Sequence, residues 1–160
     1  MQREGSRAKR RRVRYRLPSE EVHVEPIRGS CLCGGVAFEL ISPPSSVTHC
    51  HCSRCRKARG TANATNLVAG IDAVRFLRGE DLLTTFKVPD AKHFTHVFCR
   101  VCGSSMPRRD EGRGIAIVPM GSFDDDPGAR PGRHIFVDSK APWDEITDGL
   151  PCFPGPPPSI

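Results

Sequence analysis

The chain has 160 residues, enough for one domain with a modest core. Its apolar fraction is low at 38%, and Gly and Pro number 15 each, which points to a loop-rich, mainly β domain that needs staples beyond its core. No apolar run approaches the ~20 residues of a membrane span, and no apolar segment follows the basic N-terminus as in a secretory signal, so a cytoplasmic protein without membrane segments is expected.

The net charge of +6 belongs to one end. Residues 1–16 hold eight Arg or Lys against one acid, Glu4, so they carry +7 and the remaining 144 residues carry −1. Residues 1–18 are too polar to offset their ordering entropy and are expected to form a disordered basic tail. The first reading of this tail is a solvated segment. The second is an electrostatic anchor for nucleic acid or another acidic surface. Tyr15 is the sole aromatic among the charges, which weakens a single-strand stacking role.

A domain is expected over 19–155, with folded structure beginning near Val22. Val24 to Ile27 leads to Arg28-Gly29-Ser30, which reads as a turn, and then to Cys31-Leu32-Cys33-Gly34-Gly35. Val36–Leu40 reads as a strand, and Ser42–Ser46, with Pro43 and Pro44, as a loop. Cys52–Arg59 reads as a short helical turn that Gly60 ends. Further strands are predicted over Asn63–Val68, Ala73–Arg78, Leu82–Val88, His93–Phe98, Gly114–Pro119 and His134–Val137. Asp124-Asp125-Asp126-Pro127-Gly128 reads as a turn. Residues 150–160 hold five prolines and read as an extended tail, with 156–160 outside the domain.

The eight cysteines carry the chemistry. They are laid out as C-x-C (Cys31, Cys33), C-x-C-x2-C (Cys50, Cys52, Cys55) and C-x2-C (Cys99, Cys102), with Cys152 apart. A disulfide framework is the alternative. It is disfavoured because no export signal is present and reducing compartments keep thiols free. Such short spacings are also what one metal ion needs, since neighbouring sulfurs must converge at ~2.3 Å from it. Cys31, Cys33, Cys99 and Cys102 make a natural closed tetrahedron and are expected to hold a structural zinc. Cys50, Cys52 and Cys55 leave a fourth position for water or substrate, the pattern of a catalytic zinc. Two zinc ions per chain are therefore expected, the second more labile.

Arg54, Arg56, Lys57 and Arg59 surround the second group and can attract an anion or damp thiolate charge, although each alone is more simply a solvated base. His49 or His51 can close the second site, but in an extended segment both point away from Cys50 and Cys52. His93, His96 and His134 read as core or surface histidines. Cys152 reads as a free thiol. No nucleophile motif, phosphate loop or dinucleotide fingerprint competes.

Three stretches together resemble the glutathione-dependent formaldehyde-activating enzyme family, which shares its domain with centromere protein V. They are Gly29-Ser30-Cys31-Leu32-Cys33-Gly34-Gly35-Val36-Ala37-Phe38-Glu39, then Cys50-His51-Cys52-Ser53-Arg54-Cys55-Arg56-Lys57, then Phe98-Cys99-Arg100-Val101-Cys102-Gly103-Ser104. His134–Trp143 is similar to the family's C-terminal signature, and the resemblance covers about residues 25–155. It implies the Mss4-like fold, with folded antiparallel sheets stapled by zinc. It also implies a structural site at Cys31, Cys33, Cys99 and Cys102 and a catalytic one at Cys50, Cys52 and Cys55. The implied reaction is of carbon–sulfur lyase type on a thiol–aldehyde adduct such as S-hydroxymethylglutathione. Two other readings stand beside it: a glutathione carrier without turnover, and a non-catalytic zinc module that binds a partner or, through its tail, nucleic acid.

Overall fold

The computed structural model describes Val13–Arg14 and 23–156. Among the described residues there are thirteen strands and one α-helix. In chain order the strands are β1 (Val13–Arg14), β2 (His23–Val24), β3 (Ile27–Ser30), β4 (Ala37–Leu40) and β5 (Ser46–Cys50). Helix α1 (Ser53–Arg59) follows, then β6 (Ala64–Gly70), β7 (Val74–Arg78), β8 (Leu83–Lys87) and β9 (Thr95–Cys99). The last four are β10 (Arg108–Asp110), β11 (Ile115–Pro119), β12 (His134–Ile135) and β13 (Cys152–Phe153). The expected disorder of 1–18 and the proline-rich end at 157–160 lie outside the described residues, except that β1 pairs with β2.

The largest sheet has six strands in the order β10-β11-β6-β5-β12-β13. A three-stranded sheet runs β3-β4-β7, and β8 and β9 form a separate antiparallel pair. Pairing is antiparallel except on either side of β12, which runs parallel to both β5 and β13. The fold is mainly β, as the loop-rich composition and short alternating runs imply.

One core joins the larger sheets. Phe38 and Leu40 of β4 and Val74 of β7 pack with Val47 of β5, Leu67 and Ala69 of β6, and Ala116 and Val118 of β11. Phe38 is fully buried and sits 5.6 Å from the ring of Phe123 and 6.4 Å, edge-on, from Phe76. Burial of such a ring contributes ~1.5–3 kcal/mol. Cys31 and Cys99 belong to the same core cluster, so one cysteine group is rooted in the core.

Three sequence expectations are corrected. Arg28-Gly29-Ser30 is not a turn but part of β3, paired with β4 so that Gly29 faces Phe38. A Cβ on Gly29 would lie 2.2 Å from Phe38 Cζ and 2.5 Å from the Ser122 carbonyl oxygen. The glycine is there to let an aromatic ring lie against backbone, not to bend the chain. The strand expected over His134–Val137 stops at Ile135, because Phe136 adopts a left-handed backbone (φ 57°). The proline-rich C-terminal stretch is not a free tail throughout: Cys152–Phe153 pairs with β12 at the sheet edge.

Candidate metal centres

The closed group is built by two tight turns. Cys31 directly follows β3, and the chain reverses through Gly34, whose N–H donates to the Cys31 carbonyl at 2.8 Å. Cys99 ends β9, and the Gly103 N–H donates to its carbonyl at 2.8 Å. Gly34 and Gly103 both have positive φ, a conformation that costs glycine little. Ser104 ties the turns together: its Oγ accepts from Leu32 N–H at 2.9 Å and lies 3.3 Å from Cys102 Sγ.

The sulfurs of Cys31, Cys33, Cys99 and Cys102 lie within 4.8 Å of one another. Cys31 Sγ is 3.5 Å from Cys33 Sγ, which is 3.9 Å from Cys99 Sγ. A tetrahedral zinc–thiolate site with bonds of ~2.3 Å separates its sulfurs by about 3.8 Å, so this donor set fits the ion. Hydrogen bonds from Ser104 hold the Cys102 thiol down at about 5. Burial raises Cys31, but the Val36 N–H, at 3.2 Å from its sulfur, and the neighbouring thiols bring it below its ordinary value. All eight cysteines are free.

The second group is assembled within six residues. Cys50 closes β5 and is buried. Cys52 is the N-cap of α1, its sulfur accepting from Cys55 N–H at 3.4 Å. Cys55 lies in the first turn, and Gly60 ends the helix in the left-handed conformation. The three sulfurs lie within 4.8 Å of one another. Such proximity lets one thiol ionise at the others' expense. Donation from Cys50, then Cys55, holds Cys52 down to about 2. Cys50 is driven far above its ordinary value by the same contacts and by burial. A divalent cation is what allows all three to be thiolates together, so this set can also hold a metal ion.

Two arginines face this group. Arg59 and Arg108 are depressed first by burial and raised by the charge of Cys55. Of the four bases flagged in the sequence, Arg54 and Lys57 are exposed, and Arg56 donates to the His51 carbonyl at 3.2 Å. Arg108 carried no sequence signal, because it comes from β10 through tertiary contact alone.

A cleft of about 780 Å³ is lined by Cys31 of the first cysteine group and by none of the three sulfurs of the second. Cys31 and Ser104 line one side, Ala58 and Arg59 of α1 another, and Ala64, which pairs with Cys50, lies at its wall. Six hydroxyl residues (Ser30, Thr61, Thr65, Ser104, Ser105, Ser122) and Asp124 complete much of the lining. A small cavity of about 30 Å³ joins Cys55 to Arg59, Arg108 and His96. His96 Nε2 is 2.9 Å from Ser105 Oγ, so this pair spans from the cavity to the cleft.

His49 and His51 stay outside the three-sulfur group. His49 Nδ1 engages Asn63 and Thr65, and His51, fully buried, contacts His134. Burial is the main cause of the lowered pKa of both. His134, read from sequence as an ordinary histidine, instead joins His49 and Asp148 in a third group of potential metal donors. His93 lies 3.8 Å from Asp110. Asp124 accepts from Ser30 Oγ at 2.9 Å, and Asp126 pairs with Arg130. Cys152 is exposed and apart from every group. No described helix is long and apolar enough to cross a membrane.

Residues 26–139 match the sequence model of the family described as glutathione-dependent formaldehyde-activating enzyme. A Halomonas elongata protein, provisionally named for the same activity, is 31% identical over 144 residues, covering 82% of this chain and 88% of the relative. A crystal structure of a Rhodobacter sphaeroides protein aligns with TM-score 0.51 at 28% identity, over 66% of this chain and 92% of that one.

Proposed function

Because the chain belongs to the glutathione-dependent formaldehyde-activating enzyme family, we propose that it is a zinc-dependent carbon–sulfur lyase of the cytoplasm. It joins formaldehyde to a small thiol, glutathione by default, as an S-hydroxymethyl adduct, or runs the reverse reaction. The observation that carries this reading is the three-sulfur group of Cys50, Cys52 and Cys55, beside which Ala58 and Arg59 of α1 and Ala64, the β-sheet partner of Cys50, reach the wall of a 780 Å³ cleft, a volume suited to a tripeptide.

Cys31, Cys33, Cys99 and Cys102 hold a structural zinc, and Cys50, Cys52 and Cys55 hold a second. Bound by these three sulfurs, a second zinc would supply a Lewis acid for the substrate thiolate. Arg59 and Arg108 offset the excess negative charge that three protein thiolates and a substrate thiolate bring together. The hydroxyls and Asp124 of the cleft wall meet the peptide amides and ammonium group of glutathione, while Arg59 meets a carboxylate. In the forward direction the thiolate sulfur bonds to the carbonyl carbon, the carbon–oxygen π pair moves to oxygen, and the thiol's proton ends on that oxygen. Ser105, backed by His96, is placed to carry this proton between the cavity and the cleft.

The test is zinc retention by reduced protein under a mild chelator, with and without glutathione, for the wild type and Cys52→Ser. Zinc that glutathione protects in the wild type and that Cys52→Ser lacks supports the lyase. Formaldehyde-dependent adduct formation, followed by NMR, then separates a lyase from a carrier. Zinc indifferent to glutathione would leave a structural module and overturn the proposal.

A further inference from the structure

His49, His134 and Asp148 each offer a donor atom, and these atoms lie within 4.8 Å of one another. Residue 134 pairs with residue 49 across the parallel β5–β12 ladder, which stacks the two imidazoles at 4.9 Å and 26°. The group contains no sulfur and is separate from both cysteine groups.

The hydrogen bonds around it decide which nitrogens are free. His49 Nδ1 lies 3.1 Å from Asn63 Oδ1 and 2.9 Å from Thr65 Oγ1. The amide oxygen only accepts, so Nδ1 carries the proton and Nε2 keeps its lone pair. At the far end of the cluster, His51 Nδ1 and Asp144 Oδ2 lie 3.5 Å apart, both buried and both without a hydrogen-bond partner. His134 Nδ1 is engaged by His51 Nε2 at 2.8 Å, which leaves Nε2 as the ring nitrogen that faces the group. His134 Nε2 faces both oxygens of Asp148, each 3.0 Å away.

An imidazole nitrogen this close to a carboxylate shares a cation with it, either a proton or a metal ion. A proton would use two of the donors; the third, from His49, makes the arrangement one for a metal ion. Each histidine also has its other ring nitrogen pinned by a partner, as metal-ligating histidines do. Asp148 is 44% exposed, which leaves a path for entry and room for water on the ion. We propose that His49, His134 and Asp148 form a third metal site, for a divalent first-row transition ion of the kind that two imidazoles and a carboxylate bind.

Cobalt(II) titration of the untagged, reduced, full-length chain tests this. Ions on cysteine sulfur give strong sulfur-to-cobalt charge transfer; an ion on His49, His134 and Asp148 gives only weak ligand-field bands. The expected result is one equivalent that binds without added charge transfer. That equivalent is weakened more than about tenfold by Asp148→Asn and by His49→Gln, and about 10–100-fold by Asn63→Ala through the lost partner of His49. The charge-transfer bands stay unchanged in all three. Absence of a sulfur-free equivalent in the wild type, or its persistence in both ligand variants, would overturn the proposal. Because sulfur-bound cobalt is counted separately, this outcome is independent of the cysteine sites.

Discussion

His51 Nε2 and His134 Nδ1 meet at 2.8 Å inside the protein, although 83 residues separate them. Their contact anchors β12 to the residue that lies between Cys50 and Cys52. It therefore supports the backbone from which two of the three clustered sulfurs project. His134→Ala strips a partner from the fully buried His51. The expected loss is about 1–3 kcal/mol, the cost of a buried polar group left unpaired. Urea unfolding at fixed metal content measures it, and a loss below about 0.5 kcal/mol would contradict a supporting role.

The two cysteine groups should respond differently to single substitutions. Cys99 is fully buried within the core cluster, so Cys99→Ser removes a proposed zinc ligand where the domain has its centre. Structural zinc supplies about 10–16 kcal/mol of apparent binding energy, and this variant should not fold stably. Cys52→Ser should stay folded, because serine at the N-cap can accept the same N–H. It should lose the second metal and more than about 100-fold of the activity. Circular dichroism and metal analysis distinguish the two outcomes.

Arg59 faces both Cys55 and the cleft. A charged hydrogen bond to substrate is worth about 1.5–3 kcal/mol, so Arg59→Gln should lower kcat/KM for glutathione and formaldehyde at least about tenfold. The same variant should leave metal content unchanged. Steady-state kinetics with glutathione varied provide the check. Unaltered kcat/KM would remove Arg59 from the substrate site.

Asp110 should confer an acid-sensitive share of stability. Burial raises its pKa, but hydrogen bonding to Arg113 and the charge of Arg108 outweigh this and hold it below its ordinary 3.8. The carboxylate therefore stabilises the fold above the unfolded value. That contribution is lost as pH falls through about 4 and then through the lower folded value. The stability gap between wild type and Asp110→Asn should be full at pH 7 and should close below about pH 4. Denaturant midpoints of both proteins across this range test the sign; a gap that widens in acid would refute it.

Gly29 should not tolerate a methyl group. Its Cβ would sit 2.2 Å from the ring of fully buried Phe38 and 2.5 Å from backbone oxygen, so neither neighbour can yield freely. Gly29→Ala should cost about 1–3 kcal/mol, as overpacking does. Gly29→Ala with Phe38→Leu should recover part of that loss, which thermal unfolding of the double variant measures.

Much of the local structure was legible because its causes are local. Cys52 and Gly60 bracket a helix that the chain forms as predicted, since cap chemistry acts over one turn. The runs at Val36–Leu40 and Gly114–Pro119 became β4 and β11 with one end residue trimmed, because buried strands announce themselves as short apolar runs. Gly29 misled because glycine signals a turn and a close approach with the same letter. His134 looked ordinary because nothing nearby in sequence marks its partners, His49, His51 and Asp148.

The sequence by itself determined the grouping of its sulfurs into short sets, and with it the donors of the candidate metal centres. Spacings of one or two residues leave the backbone little freedom, so such sulfurs stand close in almost any turn or helix start. Tertiary structure alone decided what surrounds them. Arg108 reaches Cys55 from β10, and His134 reaches His49 because β12 runs parallel to β5 in one particular register. Register is set by which residues fill the common core, a property of the whole assembled sheet that no single stretch carries.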